Sequence, residues 1–202
     1  QVWHHFLPIK NSVFLSMKKC GEMTYMIISD IHGSEIALKR ALDQYERLGC
    51  DGLIILGDIL YHGPRNPLPE GHNPKGVAEL LNQYSTEIIA VRGNCEAEVD
   101  QMVLDFPCMS DYALILDNNY RIFATHGHIY NPNQLPKGFS EGIFLFGHTH
   151  LWELRIDKNR MICNPGSIAL PKEGRLPTFA IYSSGKIVIY TLYGEVILEK
   201  SL

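Results

Sequence analysis

Two hydrophobic patterns alternate in the first half of the chain. Continuous apolar runs, typical of buried strands, occupy residues 24–29, 51–58 and 87–94. Between these runs, residues 34–49 and 77–84 place apolar side chains at helical spacing. The resulting β-α-β-α-β order predicts a parallel sheet that is covered by helices and connected by right-handed crossovers.

Segment 34–49, "SEIALKRALDQYERLG", carries its own start and stop signals. Ser34 is a favourable N-cap, and Gly49 suits the left-handed turn that ends many helices. We expect one face of this helix to pack against the sheet, with the apolar residues Ile36, Ala37, Ala41, Leu42, Tyr45 and Leu48.

The second half of the chain is rich in short strands and almost free of helical patterns. Asn-Asn, Asp-Lys-Asn and Ser-Ser-Gly turn signals separate several of the predicted strands. These strands cover residues 112–116, 120–127, 142–148, 151–156, 160–164, 178–183 and 186–194. Two packed sheets flanked by helices would accommodate both halves in one domain. We find no internal repeat or low-complexity segment.

The composition of the chain argues against several classes of function. The chain has 202 residues, a net charge of -4 and 46% hydrophobic residues. It has no basic excess that would indicate nucleic acid as a partner, and no apolar run of the roughly 20 residues that a membrane span needs. The five cysteines are scattered without a C-x-x-C pair, which argues against a disulfide framework or a cysteine-type zinc site. We therefore predict a cytoplasmic protein.

The N-terminal segment differs from the rest of the chain. Residues 1–22 are interrupted by polar residues and Pro8, and they lack the pattern of a secretory signal. We interpret them as an upstream extension or an expression remnant that precedes one domain at residues 23–202. Met17 or Met23 would be a more natural start. The alternative is an arm that tethers another subunit.

Polar residues that can bind metal follow the predicted buried strands. A buried carboxylate costs several kcal/mol unless a partner compensates it, so Asp residues in these places need an explanation. D-x-H alone is a weak signal, and the two histidines of "GHTH" are a stronger one. Since sites in open α/β sheets gather at the carboxyl ends of strands, we expect these side chains to converge. They are Asp30, His32, Asp58, Asn94, His126, His148 and His150. Seven oxygen and nitrogen ligands suit two divalent cations that share one carboxylate, with Mn, Fe or Zn favoured over Ca or Mg alone.

The series D-x-H, G-D, G-N, H-G-H and G-H-T-H resembles the calcineurin-like metallophosphoesterase superfamily over residues 23 to about 170. Within it, "GDILYHGPRNPLPEG", "VRGNCEAEVDQM" and "NPGSIALPK" are similar to the YfcE-type bacterial phosphodiesterases. The resemblance implies a four-layer α-β-β-α sandwich with two mixed sheets and a dinuclear metal site.

The resemblance also implies an assignment of the ligands and the metal. Asp30, His32 and His150 would hold the first ion, and Asn94, His126 and His148 the second, with Asp58 between them. Mn²⁺ is the expected metal, with Fe, Zn, Ni or Co as alternatives.

This site predicts hydrolysis of a small-molecule phosphodiester by a hydroxide that bridges two metal ions. A phosphomonoesterase or a nuclease could use the same site, although the net charge of -4 argues against a nuclease. A non-enzymatic scaffold with this fold is the third alternative, and the complete ligand set argues against it. Apolar strands such as residues 186–194 could pair in a homo-oligomer.

The residues that would assist catalysis are less clearly indicated. Cys95 stands where many relatives have a histidine that protonates the leaving group. Because a thiol is a poorer acid at neutral pH, we expect a preference for good leaving groups, with His128 or His62 supplying any remaining proton. Alternatively, Cys95 is a small packed side chain, His128 braces His126, and His62 faces solvent.

Two arginines are candidates for contact with the phosphate. We place Arg65, with His62 and Cys95, on the substrate side; the alternative for either arginine is an ion pair with a surface carboxylate. Residues 164–167, "NPGS", are predicted to form a turn that supports the site. His4, His5 and His72 are interpreted as surface residues.

Overall fold

The computed structural model describes residues 22–202. The prediction for segment 1–22, apart from its last residue, and those for His4 and His5 therefore lie outside the described residues. In chain order the elements are β1 (Thr24–Ile28), α1 (Glu35–Leu48), β2 (Gly52–Ile55), α2 (Pro74–Asn82), β3 (Ile88–Ala90), α3 (Glu98–Val103), β4 (Tyr112–Asp117), β5 (Tyr120–Thr125), β6 (Gly142–Leu145), β7 (Glu153–Asp157), β8 (Arg160–Asn164), β9 (Thr178–Ser183), β10 (Lys186–Thr191) and β11 (Val196–Ser201).

The strands form two mixed sheets, which confirms the predicted fold class. The first sheet has the order β11-β10-β9-β1-β2-β3, and β1, β2 and β3 are parallel as the alternating pattern predicts. The second has the order β4-β5-β6-β8-β7, in which β5, β6 and β8 are parallel. The parallel strands of both sheets bring their carboxyl ends to one edge of the sandwich.

Helices α1 and α2 cover the outer face of the first sheet. Ser34 caps α1 by accepting the Ala37 N–H, and Gly49 ends it in the left-handed conformation, as predicted. The predicted buried face needs one correction. Ile36 is 37% exposed because it lies over Gly71 at the rim, and Leu38 is buried in its place.

Side chains from both sheets form the core between them. Ile27 and Ile54 of the first sheet pack in one cluster with Ile122, Ile143 and Met161 of the second. A separate cluster lies between the first sheet and its helices, and an aromatic cluster around Phe123 and Phe144 lies on the outer face of the second sheet. Each strand that leads to the polar edge is therefore held on both faces.

The outer face of the second sheet carries a loop and not a helix within the described residues. Leu135 and Phe139, from the segment that follows β5, pack on the aromatic cluster. Pro132, Pro136 and Gly138 interrupt this segment, which explains why it covers the sheet without regular structure.

Two elements, α3 and β11, were not predicted from the sequence pattern. Helix α3 has only six residues, and β11 has a largely exposed burial pattern, so neither has a strong periodicity. Strand β11 covers the edge of β10, and Ile187 and Ile189 of β10 are buried. Residues 186–194 therefore offer no free strand for pairing between subunits, and the homo-oligomer stays a prediction without that support.

Within residues 22–202, no helix has the length and apolar character to cross a membrane. Cys95, Cys108 and Cys163 are free thiols.

Candidate metal centre

The structure brings all seven predicted ligand residues to one edge of the sandwich. Each follows the carboxyl end of a parallel strand: Asp30 and His32 follow β1, Asp58 follows β2, Asn94 follows β3, His126 follows β5, and His148 and His150 follow β6. Both sheets contribute, so the site spans the opening between them.

Five of these residues adopt a left-handed backbone conformation that is uncommon for residues other than glycine. Their φ angles are 56° for Asp30, 48° for His32, 54° for Asp58, 67° for His148 and 62° for His150. Each such residue lowers the stability of the folded state by about 1–2 kcal/mol, and residues in this conformation cluster at functional sites. The sharp turns reverse the chain after the strands and direct the side chains towards a common point.

Asp30, His32 and His150 form the first half of the site, and all three are buried. The two Nε2 atoms of His32 and His150 are 3.3 Å apart. Oδ1 of Asp30 lies 3.7 Å from Nε2 of His32 and 3.3 Å from Nε2 of His150. The other oxygen of Asp30 accepts hydrogen bonds from the Ser29 hydroxyl and the His148 backbone N–H.

Asn94, His126 and His148 form the second half. Nε2 of His126 lies 3.1 Å from Oδ1 of Asn94 and 3.2 Å from Nδ1 of His148. His126 is fully buried, whereas His148 and Asn94 face the solvent-accessible cavity above the site. Three side chains from three different strand ends therefore meet here.

Asp58 lies between the two halves. Its Oδ2 atom is 3.5 Å from Nε2 of His126 and 3.8 Å from Nε2 of His32. Its Oδ1 atom accepts a hydrogen bond from the Cys95 backbone N–H. One carboxylate oxygen is thus held by the protein while the other faces rings from both halves, which is the position a shared ligand requires.

Backbone carbonyls fix the orientation of three of the imidazoles. Nδ1 of His32 lies 2.8 Å from the Tyr61 carbonyl oxygen. Nδ1 of His126 lies 2.7 Å from the Leu56 carbonyl oxygen, and Nδ1 of His150 lies 2.6 Å from that of Leu170. A carbonyl can only accept, so each Nδ1 carries the proton. In the neutral ring, each Nε2 then presents a lone pair to the site, the arrangement typical of metal-binding histidines.

These lone pairs and the buried carboxylate need a positive charge among them. Oδ1 of Asp30 is buried without a hydrogen-bond partner among the described residues. Burial opposes its charge, yet His150 and His32 hold the pKa of Asp30 well below its usual range. Burial also opposes a charge on His32, but Asp30 raises the pKa of that ring. Divalent cations satisfy both the lone pairs and the unpaired oxygen, so the donor set fits a metal site.

The sequence reasoning missed Glu96, which joins the loops that carry Asp58 and Asn94. Its buried carboxylate accepts backbone N–H groups from Asp58, Ile59 and Gly93. Burial and the nearby Asp58 raise the pKa of Glu96. A glutamate two residues after the asparagine was visible in the sequence, but only the fold shows that the two loops lie side by side.

The glycine of the G-N motif, Gly93, is required by the close packing around it. A Cβ atom on it would collide with Oδ1 of Asp58 and would lie only 2.6 Å from the Asp58 backbone nitrogen. The G-N motif therefore keeps a glycine because the Asp58 loop packs directly against this backbone.

Residues 164–167 support the site, as predicted. Ser167 donates its hydroxyl proton to the Asp30 carbonyl and accepts the Leu170 N–H, and the Leu170 carbonyl in turn holds His150. The Asn164 side-chain amide donates to the Gly147 carbonyl, next to His148.

A cavity of about 460 Å³ opens above the ligand residues. It is lined by Asp58, Gly63, Pro64, Arg65, Asn66, Asn94, Cys95, His148, Thr149, His150 and Lys172. Arg65 and Cys95, which the sequence analysis assigned to the substrate side, are among these lining residues, and Lys172 is a further one that the sequence analysis did not identify. Residues 130–141 do not line this cavity and line other surface cavities.

Cys95 lies close to the centre of the site. Its Sγ atom is within 4.8 Å of ligand atoms of His32 and Asp58. Burial and the Asp58 carboxylate raise the pKa of the thiol, so it stays protonated at neutral pH and is a weak acid.

The two histidines that were predicted to donate a proton do not line this cavity. His128 packs edge-on against His126 and lines an adjacent groove that shares His148 and Thr149 with the cavity. Burial and His126 lower the pKa of His128, so the ring is neutral at pH 7. His62 packs between the rings of Tyr61 and His72.

Two other predictions concern the periphery. Arg92 is exposed and does not line the cavity. His72, interpreted from the sequence as a surface residue, is partly exposed, but its ring also packs against Gly33 and its Nδ1 lies 3.1 Å from the His32 carbonyl. His72 therefore braces the loop that carries His32.

Comparison with known proteins agrees with this geometry. Residues 23–186 match the model of the calcineurin-like phosphoesterase superfamily domain. The chain is 41% identical over 178 residues to "Phosphodiesterase YfcE" of Escherichia coli strain K12, covering 88% of this chain and 97% of that protein. It is 26% identical over 166 residues to "Probable metallophosphoesterase YsnB" of Bacillus subtilis strain 168, covering 79% and 83%.

Solved structures show the same fold. The E. coli Yfce phosphoesterase superimposes with a TM-score of 0.86 at 39% identity, over 89% of this chain and 99% of that one. A zinc complex of Vps29 from Entamoeba histolytica superimposes with a TM-score of 0.60 at 18% identity, over 89% and 99%, and indicates the fold alone. The strand ends, the ligand geometry and these similarities together establish that the chain belongs to the calcineurin-like phosphoesterase superfamily.

Proposed function

We propose that this chain is a phosphodiesterase that uses two divalent metal ions. Asp30, His32 and His150 would hold one ion, Asn94, His126 and His148 the other, and Asp58 would contact both. The observation that carries the proposal is the position of Oδ2 of Asp58, 3.5 Å from Nε2 of His126 and 3.8 Å from Nε2 of His32. The similarity to Phosphodiesterase YfcE supports a diester as the substrate class.

The chemistry of such a pair of ions suits phosphate esters. When bound, two divalent ions polarise the phosphoryl oxygens and supply the attacking hydroxide at neutral pH. The protein fixes the ligand directions through the Tyr61, Leu56 and Leu170 carbonyls and gives access through the cavity above Asp58. We propose Mn²⁺ as the working metal, because carboxylate, amide and imidazole ligands suit it and metal availability decides among the alternatives.

Cys95 and His128, two of the candidate proton donors, are both weak acids or neutral at pH 7. The thiol of Cys95 has a raised pKa, and the pKa of His128 is lowered by burial and by His126. We therefore propose that the enzyme hydrolyses diesters of acidic alcohols such as nitrophenols much faster than dialkyl esters, since a good leaving group needs no proton in the transition state.

Metal-stripped protein reconstituted with single metals tests the proposal. We expect hydrolysis of bis(p-nitrophenyl) phosphate with Mn²⁺ and little activity in chelator, with two ions per chain by elemental analysis. The Asp58→Asn variant should lose at least one ion and about 10²-fold or more in activity, since a ligand shared by both ions is weakened. The matched variant Asp43→Asn changes an exposed carboxylate on α1 and should behave as wild type.

Two results would contradict the proposal. Activity that survives complete removal of metal would exclude metal-assisted hydrolysis. A fully active Asp58→Asn variant with two bound ions would show that Asp58 is not the shared ligand. A parallel panel with p-nitrophenyl phosphate separates a diesterase from a monoesterase.

A further inference from the structure

Two cationic side chains lie on the wall of the cavity above the metal centre. Arg65 comes from the loop after β2, and Lys172 from the loop after β8. Among the residues that the structure describes, neither forms an ion pair, and Asp58 is the only carboxylate that lines the cavity.

The backbone around both cations is held in place. The Asn66 side chain donates to the His62 carbonyl across the turn that presents Arg65, and prolines flank this turn on both sides. The Arg175 N–H donates to the Lys172 carbonyl, and the adjacent Glu173 carboxylate lies 3.7 Å from the Arg175 guanidinium. Glu173, the acidic residue next to Lys172 in the sequence, therefore pairs with Arg175, and the Lys172 ammonium is available to a ligand.

Charge balance shows that a simple diester does not need these two cations. Two divalent ions with the Asp30, Asp58 and Glu96 carboxylates would leave a charge of about one positive unit, which one singly charged diester already balances. Arg65 and Lys172 add two further positive charges on the wall of the same cavity. A phosphate monoester group carries about −1.5 to −2 at neutral pH and matches that excess.

We infer that the substrate is a phosphodiester that carries a second, terminal phosphate on one of its alcohol groups, and that Arg65 and Lys172 bind this phosphate. The inference rests on the proposed diesterase function. Arginine presents a planar fork that suits phosphate oxygens, and lysine adds a flexible point charge, so the pair accommodates a terminal phosphate in several ester frameworks.

Two esters of thymidine isolate the effect of the second phosphate. Thymidine 5′-(p-nitrophenyl phosphate) and its 3′-phosphorylated form share the scissile bond and the leaving group. With Mn²⁺-loaded protein we expect kcat/KM to be about tenfold higher for the 3′-phosphorylated ester, as two ion pairs at a partly exposed site would give. The preference should fall as salt is added, because these charges are accessible to screening.

A binding measurement gives a readout that does not depend on turnover. By calorimetry, thymidine 3′,5′-bisphosphate should bind Mn²⁺-loaded protein about tenfold more tightly than thymidine 5′-monophosphate. In the double variant R65Q/K172Q, both ratios should fall to within about twofold of one. The matched double variant R121Q/K137Q removes one arginine and one lysine that line a different cavity, and should keep the wild-type ratios.

The outcomes separate the inference from the proposed function. Equal binding and equal rates for the two members of each pair, with diesterase activity present, overturn the inference and leave the function standing. No hydrolysis of any diester by the metal-loaded protein defeats the proposed function, and the calorimetric ratios then decide whether Arg65 and Lys172 bind a phosphate. Faster cleavage of a 5′-(p-nitrophenyl phosphate) whose 3′-oxygen is joined to a further nucleoside by a diester than of the 3′-phosphorylated ester would overturn the terminal phosphate in favour of a neighbouring diester.

Discussion

Ser167 offers a sharp test of how the loops hold the metal centre, because one buried hydroxyl links three backbone groups. Its Oγ atom donates to the Asp30 carbonyl at 2.8 Å and accepts N–H groups from Ala169 at 3.1 Å and Leu170 at 2.8 Å. The side chain is completely buried. The substitution Ser167→Ala removes the hydroxyl without adding volume, so it tests these hydrogen bonds alone.

The magnitude follows from the number of hydrogen bonds. At about 0.5–1.5 kcal/mol each, three bonds amount to about 3 kcal/mol of folding free energy. With a denaturant slope of about 2 kcal/mol per M, the urea midpoint should fall by roughly 1.5 M. The melting temperature should fall by about 6–12 °C in a domain of this size.

The assay is urea unfolding in chelator, where metal binding does not contribute to stability, followed by a titration with Mn²⁺. Because the same hydroxyl holds the Asp30 loop and the segment that orients His150, the variant should also bind metal more weakly. Ser140→Ala removes an exposed hydroxyl and should change stability by less than about 0.5 kcal/mol. If Ser167→Ala matched this control in both stability and metal affinity, the bracing role of residues 164–167 would be refuted.

Two further substitutions test other parts of the structure. Gly93→Ala places a methyl group against Asp58, so we expect a loss of about 1–3 kcal/mol in stability and weaker metal binding, and an unchanged variant would contradict the close packing of the two loops. Tyr182→Phe removes a buried 2.7 Å hydrogen bond to Asp117 that joins the two sheets. It should cost about 1.5–3 kcal/mol in urea unfolding, whereas Tyr193→Phe at an exposed site should cost almost nothing, and equal effects would refute the assignment.

Local patterns predicted those parts of the fold whose causes are local. The N-cap Ser34 and the terminating Gly49 act within a few residues of α1, so their roles could be predicted from the sequence before the structure. The position of each candidate ligand directly after an apolar run was also visible, because a parallel strand must end at the shared edge of its sheet. Ile36 was misplaced because its exposure depends on Gly71, which is distant in sequence.

The missed residues have long-range causes. Glu96 matters because its carboxylate accepts hydrogen bonds from the backbone N–H groups of Ile59 and Asp58, which lie 37 and 38 positions earlier in the chain. His72 holds the carbonyl of His32 across 40 positions, and no local periodicity reports such a contact. Lys172 reaches the cavity only because the loop after β8 returns over the site.

By itself, the sequence determined the chemical groups available at the strand ends and the alternation of strands and helices, since both depend on residue type and short-range spacing. The tertiary structure decided which atoms face one another: Oδ2 of Asp58 between His126 and His32, and the thiol of Cys95 beside them while His128 lies in a separate groove. The physical reason is that strand pairing and the packing of the two sheets set these distances, and both depend on contacts between residues far apart in the chain.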